Sequence, residues 1–130
     1  MYIDEFTPCA ICGGRASAYH HIIYRSQNRA LIKCTLNLAP LCDKCHRTIH
    51  SKNGAELDKE LKLYLQNEIE LLFLKEYIKE KEIRDTLKIN ENASRSLLKT
   101  LKVYKEGYKR EDVIRAIMGG RFYATEWNNK

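Results

Sequence analysis

Long apolar runs are missing from this sequence. No window of about 20 residues is apolar enough to cross a bilayer, so the sequence predicts no membrane-spanning helix. The first residues also lack a positively charged start followed by an apolar run, and they carry Asp4 and Glu5 instead. No secretory signal is therefore predicted, and a cytoplasmic location is expected.

Glycine and proline are absent from residues 55–88. Apolar residues recur there at steps of three and four, at Leu57, Leu61, Tyr64, Leu65, Ile69 and Leu72. This spacing predicts a long amphipathic helix over about residues 56–81. Residues 71–74 are apolar nearly all round, which predicts burial against the N-terminal unit, the later helices or a second copy of the chain.

The chain has 130 residues, enough for one domain or for a small domain with a helical extension. We predict a domain over residues 1–54 and an extension over residues 55–130, in which two or three shorter helices follow the long one. The N-terminal part is too short and too polar for a self-sufficient core, and units of that size usually need a staple. Four of the five cysteines lie there.

The four clustered cysteines form two Cys-x-x-Cys pairs, Cys9 with Cys12 and Cys42 with Cys45. Each pair can offer two thiolates about 3.5–4 Å apart, the edge of a tetrahedron with Zn–S bonds of ~2.3 Å. Paired spacing in a chain expected to be cytosolic favours metal over disulfides. We therefore predict a structural Cys₄ zinc site, and we expect the remaining Cys34 to be a small core residue.

All four histidines lie in the same stretch. His46 and His50 share one face of a predicted helix, and that face lies roughly 90° from the cysteine pair, so one metal cannot take both pairs. His20 and His21 are adjacent on a predicted strand and point to opposite sides. One of them can complete a three-ligand site with His46 and His50, which leaves an open coordination position, while the other can take a proton from water.

This arrangement indicates a hydrolytic phosphodiesterase in outline. Two alternatives stay open at this point: the histidines are incidental, or they hold a second, purely structural metal.

The order His20-His21, Asn37, His46 and His50 resembles the HNH endonuclease motif in its ββα-metal fold. The His-His start and the terminal His-x-x-x-His are similar to the nuclease domains of the DNase colicins. The Cys-x-x-Cys pairs and the segment NLAPLCDKCHRTIH resemble the zinc-stapled HNH proteins of phages and mobile elements. The resemblance covers roughly residues 7–52.

The resemblance implies roles for these residues. His21 would be the general base, and His20, His46 and His50 would bind the catalytic metal. The side-chain amide of Asn37 would tie down the loop that holds His21. Many relatives have an acidic residue at the position of His20, and the histidine favours Zn²⁺, Ni²⁺, Co²⁺ or Mn²⁺ over Mg²⁺. The identity of the working metal stays open.

Two positions depart from the family pattern. Many relatives carry proline where this chain has Tyr24, and glycines where it has Gln27, Asn28 and Arg29. These departures leave the shape of the loop and its substrate contacts open.

Positive charge is concentrated at both ends of the chain. The net charge is +6, with +4 over residues 1–54, −2 over residues 55–90 and +4 over residues 91–130. This order favours a polyanion touched by both ends, although an ordinary solvated surface would also fit. Side chains expected to contact DNA phosphates are Arg25, Arg29, Lys33, Lys44 and Arg47, with Arg25 foremost because it follows the histidine strand.

The C-terminal part is less informative. Its basic series is Arg95, Lys99, Lys102, Lys105, Lys109 and Arg110. This series either grips DNA beyond the cut site or faces solvent over an apolar stripe. The aromatic residues of the tail, Phe122, Tyr123 and Trp127, either stack on bases or dock the tail on the helices.

The sequence thus predicts an α+β protein in which a small ββα-metal unit with a Cys₄ zinc staple precedes a mostly α-helical extension. The expected function is metal-dependent hydrolysis of DNA phosphodiester bonds. The alternative is a non-catalytic, zinc-stabilised module that binds nucleic acid or protein. Expected partners are DNA, a second copy through the long helix, and other phage or mobile-element proteins.

Overall fold

Short antiparallel strands and helices alternate along the chain in a computed structural model that describes residues 3–123. The elements are β1 (Ala18–His21), β2 (Leu38–Leu41), α1 (Asp43–Ile49), α2 (Ala55–Leu72), β3 (Tyr77–Ile78), α3 (Glu80–Leu87), α4 (Glu91–Leu98), β4 (Val103–Tyr104), β5 (Gly107–Lys109) and α5 (Arg110–Ile117). The α+β class is confirmed. In the part of the chain described, no helix has the length and apolar character needed to cross a membrane.

The first unit is a ββα arrangement. Strands β1 and β2 pair antiparallel, with His20 opposite Ala39 and His21 opposite Leu38. The loop between them contains two short 3-10 turns, Arg29–Leu31 and Thr35–Asn37. Helix α1 follows β2 directly, and its N-cap is Cys42, whose sulfur accepts a hydrogen bond from the Cys45 N–H at 3.4 Å.

Helix α2 ends nine residues earlier than predicted, at Leu72 rather than at residue 81. Phe73 leaves the helical conformation and buries its ring in the core. The Arg110 guanidinium donates hydrogen bonds to the carbonyls of Glu70 and Phe73, which satisfies the last turn of the helix. The apolar periodicity could not reveal this end, because the residue that caps it is distant in the sequence.

Within the described residues, the extension contains three short helices after α2 and also a three-stranded sheet that the sequence did not predict. The strand order is β3–β5–β4 with antiparallel pairing. These strands have only two or three residues each, too few to show an alternating pattern. The Asn90 side chain accepts a hydrogen bond from the Ala93 N–H at 2.8 Å and caps α4.

Buried side chains from both sides of residue 54 form one cluster. Cys34 lies in it as expected, 1% exposed, and its thiol donates to the Leu87 carbonyl at 3.3 Å. Tyr123 docks on α2 through paired hydrogen bonds with the Gln66 amide, at 2.7 and 2.9 Å. Trp127 lies outside the described residues.

Residues 71–74 were predicted to be buried, and within the single chain this prediction was wrong. Phe73 is buried, but Leu71 and Leu74 are 68% and 75% exposed, and Leu72 is also exposed. The helix ends inside this segment, so its apolar side chains do not share one buried face.

Candidate metal centre

Four cysteines meet between the N-terminal knuckle and the start of α1. Their sulfur atoms all lie within 4.8 Å of one another. The Cys12 and Cys42 sulfurs are 3.7 Å apart, close to the edge of about 3.8 Å in a tetrahedral zinc–thiolate site. Gly13 turns the knuckle with φ of 77°, and its N–H bonds to the Cys9 carbonyl at 2.9 Å. The donor set and its spacing fit one structural zinc ion.

The electrostatics of the thiols fit a cation in the same place. Burial raises the pKa of Cys9, but the N–H groups of Cys12, Cys42 and Ile11 favour its thiolate and bring the pKa down to about 6. Burial and the neighbouring thiols raise the pKa of Cys45 to about 12. The cluster thus keeps a proton on one thiol while another ionises readily. A divalent cation would stabilise all of the thiolates together.

A second group joins His20 of β1 to His46 and His50 at the end of α1. The ligand nitrogens lie within 4.8 Å of one another, and the ring centroids are 5.0–5.4 Å apart. His20 is 4% exposed, and its Nε2 is buried without a hydrogen-bond partner among the described residues. An orphaned buried nitrogen costs about 1–3 kcal/mol, and metal coordination would remove that cost.

The protonation of His20 also fits coordination. Burial, together with the neighbouring His46 and His50, lowers its pKa to about 4. The imidazole is therefore neutral near pH 7, the form that can bind a metal. Two cysteine pairs and three histidines thus make two separate groups, as their spacing predicted.

His21 lies on the opposite side of β1 from His20. Its Nε2 is 3.0 Å from the Ile32 carbonyl oxygen. A carbonyl can only accept a hydrogen bond, so Nε2 carries the proton and Nδ1 keeps its lone pair. His21 lines the same shallow depression as His20, His46 and His50. In its neutral form the side chain can therefore accept a proton at Nδ1.

Asn37 holds the chain just after His21. Its amide is 1% exposed, Oδ1 accepts from the Ile23 N–H at 2.7 Å, and Nδ2 donates to the Ile23 carbonyl at 3.0 Å. The Asn37 side chain thus binds both the backbone N–H and the backbone carbonyl of Ile23. Both polar atoms of the Asn37 amide are therefore occupied by Ile23.

A buried polar network that the sequence reasoning missed lies behind the histidines. The Tyr24 hydroxyl donates to Asp58 at 2.7 Å, and the Lys62 ammonium binds the other carboxylate oxygen, also at 2.7 Å. Lys62 lies 4.3 Å from the centre of the Tyr24 ring, which packs edge-on against His20. Burial and the bond to Asp58 raise the pKa of Tyr24 to about 12.

Tyr24 stands where many relatives have proline. Through Tyr24 this network joins α2 to the β1–β2 loop. The available sequence signal was the four-residue spacing of Asp58 and Lys62 next to buried Leu61 and Leu65. That spacing also suits an ordinary surface pair, so it did not single out a buried one.

The predicted basic residues are not all at the histidines. Arg25 lines their depression. Arg29 and Lys33 are exposed at the far end of the loop, and Lys44 and Arg47 are exposed on α1, beside the cysteine site. The five side chains are therefore divided between the histidine depression, the β1–β2 loop and the cysteine site.

A family model and a known protein each match part of this chain. Residues 9–52 match the family model described as HNH endonuclease. Over 54 residues the chain is 44% identical to the mitochondrial DNA mismatch repair protein mutS homolog of Sarcophyton glaucum. That stretch covers 38% of this chain but 5% of the relative's length. The comparison with solved structures found no significant match.

Proposed function

Because residues 9–52 match the HNH endonuclease family model, we propose that this chain is a metal-dependent endonuclease that hydrolyses DNA phosphodiester bonds. One observation carries the proposal. Three histidine nitrogens lie within 4.8 Å of one another, and His21 stands in the same depression with Nε2 held by a carbonyl. Three ligands leave an open coordination position, and a separate histidine is free for proton transfer.

His21 acts as the general base in this proposal. Nδ1 takes a proton from the water that attacks phosphorus, and the imidazole becomes an imidazolium. The bond from Nε2–H to the Ile32 carbonyl sets the tautomer beforehand and stabilises the charge afterwards. His21 then returns this proton to solvent or to the leaving group.

His20, His46 and His50 would hold the catalytic divalent metal. When bound, the metal supplies positive charge to the phosphate and to the leaving 3′ oxygen. The all-nitrogen donor set favours Zn²⁺, Ni²⁺ or Mn²⁺ over Mg²⁺. The four cysteines would hold a separate zinc ion that staples the knuckle to α1.

Asn37 is proposed as a positioning residue rather than a ligand. Its two hydrogen bonds to Ile23 restrain the backbone two residues after His21. The base can then hold one orientation while the loop around it contacts DNA.

Arg25, Arg29, Lys44 and Arg47 are proposed to contact phosphates. All four are exposed, so their charges are available to a polyanion. By resemblance to the family, α1 would lie against the DNA from the minor-groove side. A homodimer through exposed Leu71 and Leu74, and contacts with phage or mobile-element proteins, remain predictions.

A plasmid-cleavage assay with a metal series tests this function. We expect the wild-type protein to nick or linearise supercoiled DNA with at least one of Mg²⁺, Mn²⁺, Ni²⁺ and Zn²⁺. The variant His46→Ala should keep its cysteine-bound zinc and lose most cleavage. One tightly held zinc per chain with no cleavage in any metal would instead support the non-catalytic binding module.

A further inference from the structure

Helices α3 and α4 form a helix-turn-helix. Each has eight residues, and residues 88–90 connect them. Lys88 takes the left-handed conformation, with φ of 55° and ψ of 45°, which reverses the chain within this short turn. The buried Ser94 hydroxyl donates to Glu80 at 2.9 Å and ties α4 to the start of α3. The second helix is therefore held rigidly against the first.

The outer face of α4 is polar and free of large apolar residues. Leu97 and Leu98 are buried, whereas Asn92, Arg95 and Ser96 are exposed, as is Lys99 one turn further on. These side-chain types pair with base edges and phosphates: Arg with guanine, Asn with adenine and Ser with either. Arg95 pairs with Glu91 at 3.5 Å and donates to the Asn92 side chain at 3.3 Å. Both contacts lie on an exposed surface, so Arg95 can exchange them for DNA at little cost in free energy.

The hairpin of β4 and β5 adds positive charge directly after this helix. Lys102, Lys105 and Lys109 are exposed on it. The ammonium groups of Lys102 and Lys109 lie 4.8 and 5.2 Å from the centre of the Tyr104 ring, which holds them close together. Residues 88–109 contain six Lys or Arg against two Glu, whereas residues 79–87 contain three of each sign.

The positive surface continues to the β1–β2 loop. Helix α4 packs against the turn Arg29–Leu31. Arg29 and Lys33 of the loop line one surface groove together with Lys88 and Asn90. Ile32, whose carbonyl binds His21, lies in the same segment. The helix-turn-helix and the candidate nuclease site are thus joined through a shared basic border.

We propose that α4 and the β4–β5 hairpin form a second DNA-binding surface for double-stranded DNA. Helix α4 enters the major groove, and the hairpin lysines contact phosphates beside it. The surface holds the duplex beyond the cut site and biases where cleavage occurs. The bias on cutting rests on the proposed nuclease function, whereas the binding itself does not. Double-stranded RNA is a poor fit, because its deep, narrow major groove does not admit a helix.

Fluorescence anisotropy with a labelled DNA duplex tests the surface. The background is full-length His21→Ala, which keeps the duplex intact without a chelator that would strip zinc. Adding Arg95→Ala and Lys99→Ala should weaken binding about 10- to 100-fold and lower the salt slope by about two. Lys102→Ala with Lys105→Ala should weaken binding and lower the salt slope similarly.

The matched control is Lys59→Ala with Lys75→Ala, which removes the same charge from exposed positions outside the surface. It should change affinity by less than about three-fold. A melting curve for each variant shows that it is folded. A duplex of RNA should bind more weakly and should be insensitive to Arg95→Ala.

Equal loss of affinity in the control and the α4 variant would overturn the proposal, and so would the absence of duplex binding by the background protein. Failure of the nuclease function would appear separately, as wild-type protein that binds this duplex through α4 but cuts no DNA with any metal.

Discussion

The Nε2 atom of His21 lies 3.0 Å from the carbonyl oxygen of Ile32. This contact links the end of β1 to the far side of the β1–β2 loop. The carbonyl fixes which ring nitrogen carries the proton, so the orientation of the loop determines the chemistry open to His21. The same loop is clamped from outside, since the Asn28 amide donates to the Ala116 and Ile117 carbonyls of α5.

Replacing Asn37 should loosen this loop from within. Asn37→Ala removes both bonds to Ile23 and leaves a buried N–H and carbonyl unpaired, at about 2–4 kcal/mol of unfolding free energy. We expect a lower urea midpoint and slower cleavage with catalytic-metal affinity nearly unchanged. If a correctly folded Asn37→Ala protein cleaves DNA as fast as wild type, Asn37 does not position His21.

Removing the zinc staple should unfold the N-terminal unit. Cys12→Ser should lower the zinc content and cause a large drop in melting temperature, because binding of a structural zinc contributes directly to folding. Cys34→Ala is the matched control, since Cys34 is buried but does not belong to the group of four cysteines. It should keep its zinc and lose only about 1 kcal/mol or less. Elemental analysis and thermal melts check both variants.

The Tyr24–Asp58–Lys62 network should matter for stability. Asp58→Ala leaves the Lys62 ammonium buried without its carboxylate, which should cost about 3 kcal/mol of unfolding free energy. Glu60→Ala, an exposed acidic position on the same helix, should cost less than about 0.5 kcal/mol. Denaturant unfolding of the two variants compares them directly. Similar midpoints would mean that the network does not stabilise the fold.

When its histidine site holds no metal, the protein should become less stable as the pH falls. The pKa of His20 is lowered to about 4 in the folded chain, from an ordinary 6.5. Between these pH values the unfolded chain binds more protons, so the unfolding free energy falls as pH drops through this window. Melting temperatures of wild type and His20→Asn across the window measure the effect. A slope that is the same in both proteins would contradict a buried neutral His20.

Local spacing predicted which cysteines and histidines lie together. Cys9, Cys12, Cys42 and Cys45 converge because each pair is close in sequence and needs only one long-range contact. His46 and His50 share a helix face for the same reason, and His20 and His21 diverge because a strand alternates its side chains.

The features that the sequence did not reveal depend on contacts between residues that are distant in the sequence. The end of α2 depends on Arg110, and the burial of Lys62 depends on Tyr24, which lies in another element. The sheet β3–β5–β4 consists of strands too short to carry a pattern, so only tertiary pairing defines it. The helix-turn-helix was hidden for a similar reason, because its basic residues fitted a solvated face equally well.

Cleavage of supercoiled plasmid by wild type and His21→Ala tests the central claim most directly, with metal occupancy of both proteins measured beforehand. We predict that the two proteins hold the same amount of metal. His21→Ala should cleave more slowly by about 100-fold or more, because the proton acceptor is lost while the metal ligands remain. A His21→Ala protein that holds its metals and cuts as fast as wild type would contradict it.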